Sequence, residues 1–169
     1  MELEQIVFWV LATGAVAFAL LMVTGKSAIV SALMLVLTFM CLAGLYLTLH
    51  AQFLAVVQVT VYAGAIMVLV LFVIMLLNLK NEEKIFPKGW KTFVGLAAAL
   101  GVLAQVLAVI YASSDKMPQA MAPNSIVLGT TEGIGRTLYT SYSFPFEMAS
   151  IILISAAVGA IILAKKRLV

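Results

Sequence analysis

The chain has 169 residues, of which 64% are hydrophobic and 10% charged, whereas a soluble domain is about half apolar and a quarter charged. With a mean hydropathy of +1.18 it reads as an all-α integral membrane protein, with no extramembrane part large enough for a core of its own. The net charge of +3 then reports topology rather than attraction to nucleic acid, and the lone Cys41 excludes a disulfide or a thiolate metal site within the chain.

Met1–Gln5 is a short acidic lead carrying Glu2 and Glu4, and Ile6–Val23 is the first apolar run, ended by Thr24-Gly25-Lys26-Ser27. A secretory signal starts basic and finishes at a small-residue cleavage site. An acidic start followed at once by another span predicts a retained helix. Ala28–Leu49 is the second span, with His50 at its end. The turn that follows is so short that the second and third spans must be antiparallel neighbours.

The third span, Phe53–Leu79, runs FLAVVQVTVYAGAIMVLVLFVIMLLNL, 27 residues without a carboxylate, amine or imidazole. Roughly 20 residues suffice to cross a bilayer, so one extra residue fits in a wide turn without drawing charge into lipid. Gln58 and Tyr62 lie four apart and share a helix face, with Ala55 roughly in line. Gly64 sits between Ala63 and Ala65, where glycine helps a helix in lipid only if another backbone comes close or the helix is irregular. Ala63, Gly64 and Ala65 are therefore the expected hinge. The second half, Met67–Leu77, is apolar all round.

Lys80–Lys91 (KNEEKIFPKGWK) is the one dense charge cluster and reads as a solvated loop. Thr92–Tyr111 is the fourth span, with Gly95, Ala99 and Gly101 as small packing positions and Gln105 as its strongly polar residue. The connection across 112–145 is long for a linker, and Pro118 and Pro123 mark its first part as extended or turning. Ser125–Tyr142 can form a short interfacial helix, although Gly129, Gly133 and Gly135 weaken it. Pro145 suits the first turn of a helix. Phe146–Ala164 is then the fifth span, closed by Lys165-Lys166-Arg167.

The inventory for chemistry is nearly empty. His50 is the single histidine, so bis-histidine haem ligation within the chain is excluded. There is no glycine-rich phosphate loop, no paired carboxylate and no serine–histidine pair with plausible geometry, so the chain alone carries no catalytic centre and binds no cofactor or metal. His50 reads as an interfacial loop residue and Cys41 as a small buried hydrophobe. The ionisable candidate within the spans is Glu147, two residues after Pro145. Its plainer role is to face the free N–H groups at a helix start. Its functional role is a carboxylate on a proton path or against a partner's basic residue. Gln58 and Tyr62 are neutral and serve either interhelical hydrogen bonds or ordered water.

Two segments together resemble a known family. VYAGAIMVLVLFVIMLLN at Val61–Asn78 and LYTSYSFPFEMASIILISAAVGAIILAKK at Leu138–Lys166 are similar to the J subunit of bacterial proton-pumping NADH:quinone oxidoreductase, respiratory complex I, whose mitochondrial counterpart is subunit 6. The resemblance covers nearly the whole chain. It implies a membrane-arm subunit without a redox centre in the bacterial inner membrane, beside the quinone-chamber subunit and the small subunits A and K. FMN, iron–sulfur clusters, NADH and quinone belong to the rest of such a complex. It also implies a π-bulge at Tyr62–Gly64 that relaxes to α-helix in some states, opening a hydrated proton path. The carboxylate at the start of the last span carries over to Glu147. Some relatives carry an acidic residue where this chain has Gln58, so a titrating role on the third span is absent here. Two other classes stand beside this one: a small independent transporter or cation/proton antiporter component, and a purely structural membrane subunit. The first generally needs a titratable residue in mid-span, and the first four spans have none.

Five spans place the termini on opposite sides. With the N-terminus periplasmic, Lys26, Lys80, Lys84, Lys88, Lys91, Lys165, Lys166 and Arg167 are inside and Lys116 and Arg136 outside, eight basic residues against two. The loop at 80–91 is then cytoplasmic and the connection at 112–145 periplasmic. A topology reporter fused after Val169 is expected to be active in the cytoplasm, and a periplasmic signal there overturns this orientation.

Overall fold

The computed structural model describes residues 2–77, 90–113 and 129–165. Most of the charged loop expected at 80–91 lies outside them, as do Lys116, Pro118, Pro123, Lys166 and Arg167. Every regular element among the described residues is helical. In chain order these are α1 (Glu2–Thr24), α2 (Ala28–Thr48), α3 (Gln52–Leu76), α4 (Trp90–Ser113), α5 (Thr131–Thr140) and α6 (Ser143–Ala164). All but α5 are long and apolar enough to cross a membrane, so the chain is a five-span membrane protein.

α3 is not uniform. Gln52–Val57 is α-helical, Gln58–Ile66 is π-helical over nine residues, and Met67–Leu76 is α-helical again. The irregularity expected around Tyr62–Gly64 is present, and it is longer than a single-turn bulge.

α6 starts earlier than the expected Phe146. The amide of Phe146 already donates to the carbonyl of Tyr142 at 3.1 Å, so Pro145 is the last position whose missing N–H leaves no helical bond unmade. The helix begins as far ahead of its proline as that bond allows. α5 forms in spite of its two glycines because Thr130 caps it, its Oγ1 accepting from the Gly133 amide at 3.1 Å. Such a cap contributes about 1 kcal/mol. Ile134 and Leu138 are half-buried on one side while Glu132 and Arg136 are exposed. Tyr139 then packs edge-on against Phe146 of α6, with ring centroids 5.1 Å apart.

α1, α2 and α3 form the packed part of the chain. Its buried apolar residues are Ala15, Ala32, Ala43, Ala55, Ala63 and Met67, nearly all alanine. Lipid tails are as apolar as leucine, so helices in a membrane associate through close backbone approach rather than by hiding bulky side chains. Two glycines show how close. A β-carbon on Gly14 would lie 3.3 Å from Sγ of Cys41, and one on Gly44 only 2.8 Å from Cδ1 of Leu11. Among the described residues α4 packs against no other helix, and α6 only against α5. Gly44→Val is expected to push α1 from α2 at a cost of about 1–3 kcal/mol. The check is thermal stability in detergent, with Leu11→Ala restoring most of the loss; an unchanged midpoint in the single variant contradicts this packing.

Candidate functional site

The π-segment sets the geometry of the site. The amide of Met67 bonds to the carbonyl of Tyr62, five residues back, and also to that of Gly64. The buried residues of α3 are Ala55, Gln58, Ala63 and Met67, so the inward face advances by three, then five, then four. On a regular α-helix a residue turns by about 100°, and a step of five would carry Ala63 well off the face that Gln58 occupies. The wider turn takes up the extra residue and keeps both inward.

Gly64 stands in the middle of that turn. A β-carbon there would meet the carbonyl oxygen of Val59 at 3.1 Å, and no other atom within 4 Å. Within this chain, then, glycine at 64 relieves its own helix rather than admitting a neighbour. Ala63 is buried and Ala65 exposed.

Gln58 is the one buried polar residue in the described chain, at 7% exposure. No described group hydrogen-bonds its side-chain amide, and Gln58 lines a cavity of about 220 Å³ together with Tyr46, Phe53, Leu54, Val57 and Tyr62. The shared face expected for Gln58 and Tyr62 is therefore realised as two walls of one cavity, with Tyr46 of α2 as a third polar wall. Tyr46 was invisible to sequence reasoning, since only packing brings α2 opposite Gln58. Tyr62 is otherwise half-exposed and its ring meets Phe39 of α2 edge-on, at 6.0 Å and 66°. On another side of α3, Met40, Ala43, Gly44, Leu47, Ala55, Val56, Val59 and Thr60 line an apolar groove of about 480 Å³.

Glu147 is not part of this cluster. It is exposed on α6, which among the described residues does not touch α3. Because α6 begins at Ser143, Glu147 falls beyond the first turn, and no side chain caps that helix start. The capping role expected from its place after Pro145 is corrected by the earlier start. The structure leaves the carboxylate unmatched to the helix end.

A second feature was missed at His50. α2 ends with the His50 amide bonding to the Leu47 carbonyl at 3.0 Å and the Ala51 amide to the Tyr46 carbonyl at 2.9 Å. This pair of bonds places His50 where glycine usually stands. Its φ is 58°, a left-handed conformation that costs a non-glycine residue about 1–2 kcal/mol. The histidine side chain is exposed, so it is the backbone of His50 that is constrained.

Fold and site together define a multi-pass helical membrane protein whose one buried polar residue among those described, Gln58, lies on an irregular helix. A family described as NADH-ubiquinone/plastoquinone oxidoreductase chain 6 matches residues 18–163, and the chain belongs to that family, the subunit 6 component of the complex I membrane arm. It is 40% identical over 98% of its length to the NAD(P)H-quinone oxidoreductase subunit 6 of the Paulinella chromatophora chromatophore, covering 80% of that relative. It is 37% identical to the F(420)H(2) dehydrogenase subunit J of Methanosarcina mazei, over 96% of this chain and 92% of that one. With chain 6 of the Synechocystis NAD(P)H-quinone oxidoreductase it shares 34% identity, over 98% of this chain and 83% of that one. Other subunits of such a complex are thus its partners. Among the described residues no cluster of His, Cys, Asp and Glu is placed to hold a metal.

Glu147→Gln is expected to leave the amount of assembled complex on a native gel unchanged, because the side chain caps nothing. Loss of the complex in that variant would return Glu147 to a structural role.

Proposed function

We propose that this chain couples quinone reduction to proton translocation by a change of register in α3, in the plasma membrane of a bacterium and with its C-terminus in the cytoplasm. The observation that carries the reading is the π-segment, Gln58–Ile66. Removing the extra residue restores α-helical steps of three and four from Ala55 and Gln58. The inward positions then become Tyr62 and Ile66 in place of Ala63 and Met67. A tyrosine now 47% exposed would have to enter where an alanine packs. That exchange leaves Phe39, reshapes the wall that Tyr62 gives to the Gln58 cavity and rotates everything beyond Met67.

Such a switch changes what water the cavity admits. Tyr46, Gln58 and Tyr62 offer two hydroxyls and an amide, which bind and orient water. Protons then cross this region on ordered water, and the charged groups on the route are those of neighbours and Glu147. The quinone-chamber subunit and the small subunits A and K are the proposed neighbours. The relatives are named for different electron donors, NAD(P)H and F(420)H(2). A subunit common to both suits a task downstream of electron entry.

Gly64→Val tests the switch. Its β-branch stiffens the backbone and its β-carbon crowds the Val59 carbonyl in the π register, so the variant favours the α register. The expected complex assembles and passes electrons from its donor to a soluble acceptor normally. Its quinone-linked proton pumping falls at least about fivefold, the lower end of typical coupling free energies. Wild-type pumping in that variant would sink the proposal.

A further inference from the structure

We infer that Gly129–Tyr142 is a clamp on the N-terminal end of α3, with Gly129 as its positioning residue, so that a register change in Gln58–Ile66 turns only the Met67–Leu76 half. The inference rests on the switch proposed for α3 and adds what holds the start of that helix.

The clamp is made backbone to backbone. The carbonyl of Gly129 accepts from the amide of Phe53 at 3.4 Å, one of the N–H groups at the start of α3 that has no partner inside the helix. A β-carbon on Gly129 would collide with the carbonyl oxygen of His50 and lie 3.1 Å from its carbon and 3.4 Å from Cα of Ala51. Glycine is thus required at 129 by close approach. The left-handed backbone at His50 aims that carbonyl toward Gly129, and the His50 and Ala51 amides, bonded to the Leu47 and Tyr46 carbonyls, tie the same turn to α2. One residue on, Thr130 caps α5, which packs on the first part of α3 and on α6, where Tyr139 meets Phe146. The N-terminal end of α3 is therefore held both by α2 and, through α5, by the last span.

The other end also packs on α2 but, among the described residues, has no contact with α5, and it is built to turn. Met67 is the buried residue of Met67–Leu76, while Val68, Leu69, Phe72, Met75 and Leu76 are each at least 60% exposed. All its side chains are apolar, so rotation in hydrocarbon exchanges one apolar face for another. Adding or removing a residue in a turn rotates one end of a helix relative to the other by about 100°. With the N-terminal end fixed, the rotation passes to Met67–Leu76, and Phe53 and Leu54 keep their places in the Gln58 cavity.

The experiment uses the whole complex in native membranes. It compares Gly129→Ala, Thr130→Ala and His50→Asn with the Gly64→Val variant, reading protons moved per quinone reduced, KM for quinone and donor oxidation with a soluble acceptor. Gly129→Ala is expected to keep the last two at wild-type values and to lower the proton yield at least about fivefold. Thr130→Ala, which loosens α5 without a clash, lowers it less, and it decides the matter if Gly129→Ala does not assemble. His50→Asn keeps the wild-type yield, because asparagine also accepts the left-handed backbone. A wild-type yield in every assembled clamp variant overturns the clamp, as does an equal loss in His50→Asn, which would assign the effect to the imidazole. If those yields are wild-type while Gly64→Val loses coupling, the clamp fails and the switch stands. If Gly64→Val also pumps normally, the switch itself fails.

Discussion

A helix in hydrocarbon has no solvent to take over a broken backbone hydrogen bond. The register changes open to it therefore run from one internal ladder to another. α3 is organised by that constraint. Its π-segment keeps the bond from the Met67 amide to the Tyr62 carbonyl while storing one residue more than an α-helix would hold. Gly64 keeps the wide turn free of a β-carbon against Val59, and Ala63 is small enough to pack inward in the π register. The uncharged length of the span makes the extra residue harmless, since no lysine or glutamate is drawn into the membrane.

The same medium explains the core. Where water drives folding, leucine and phenylalanine go inside; here Leu69, Phe72 and Leu76 face out and alanines are buried. α1 and α2 approach through Gly14, Cys41 and Gly44. The long α4 and α6 find little to pack on within the chain, which suits a member of a family whose members work inside larger complexes. Gln58 is the exception in that alanine core, and it lines a cavity with Tyr46 and Tyr62.

Glu147 and His50 show where reading along the chain goes astray. Both were interpreted from the nearest neighbours: a carboxylate just after a proline, a histidine in a short turn. For Glu147 the decisive quantity was where α6 begins, and Pro145 tolerates a start at Ser143 as well as one at itself. For His50 it was a backbone conformation that sequence signals through glycine, and here the glycine belongs to another segment, at 129. α5 likewise owes its existence to a cap and a docking site rather than to helix propensity.

The sequence by itself determined the class, the five spans, the family and the irregular point in the third span. Each of these follows from composition, from uninterrupted apolar length or from residues adjacent in the chain. Local physics decides the class and the spans, since a run too apolar for water must enter lipid; a glycine between alanines admits either close packing or an irregular backbone, and the family resemblance points to the second. Only the tertiary structure decided that the irregularity spreads over nine residues and that Tyr46 completes the Gln58 cavity. It alone placed Glu147 away from that cavity and brought Gly129 onto the His50 turn. Those depend on distances between segments far apart in the chain, and in a membrane, where nearly every outward residue is equally apolar, periodicity does not say which faces meet.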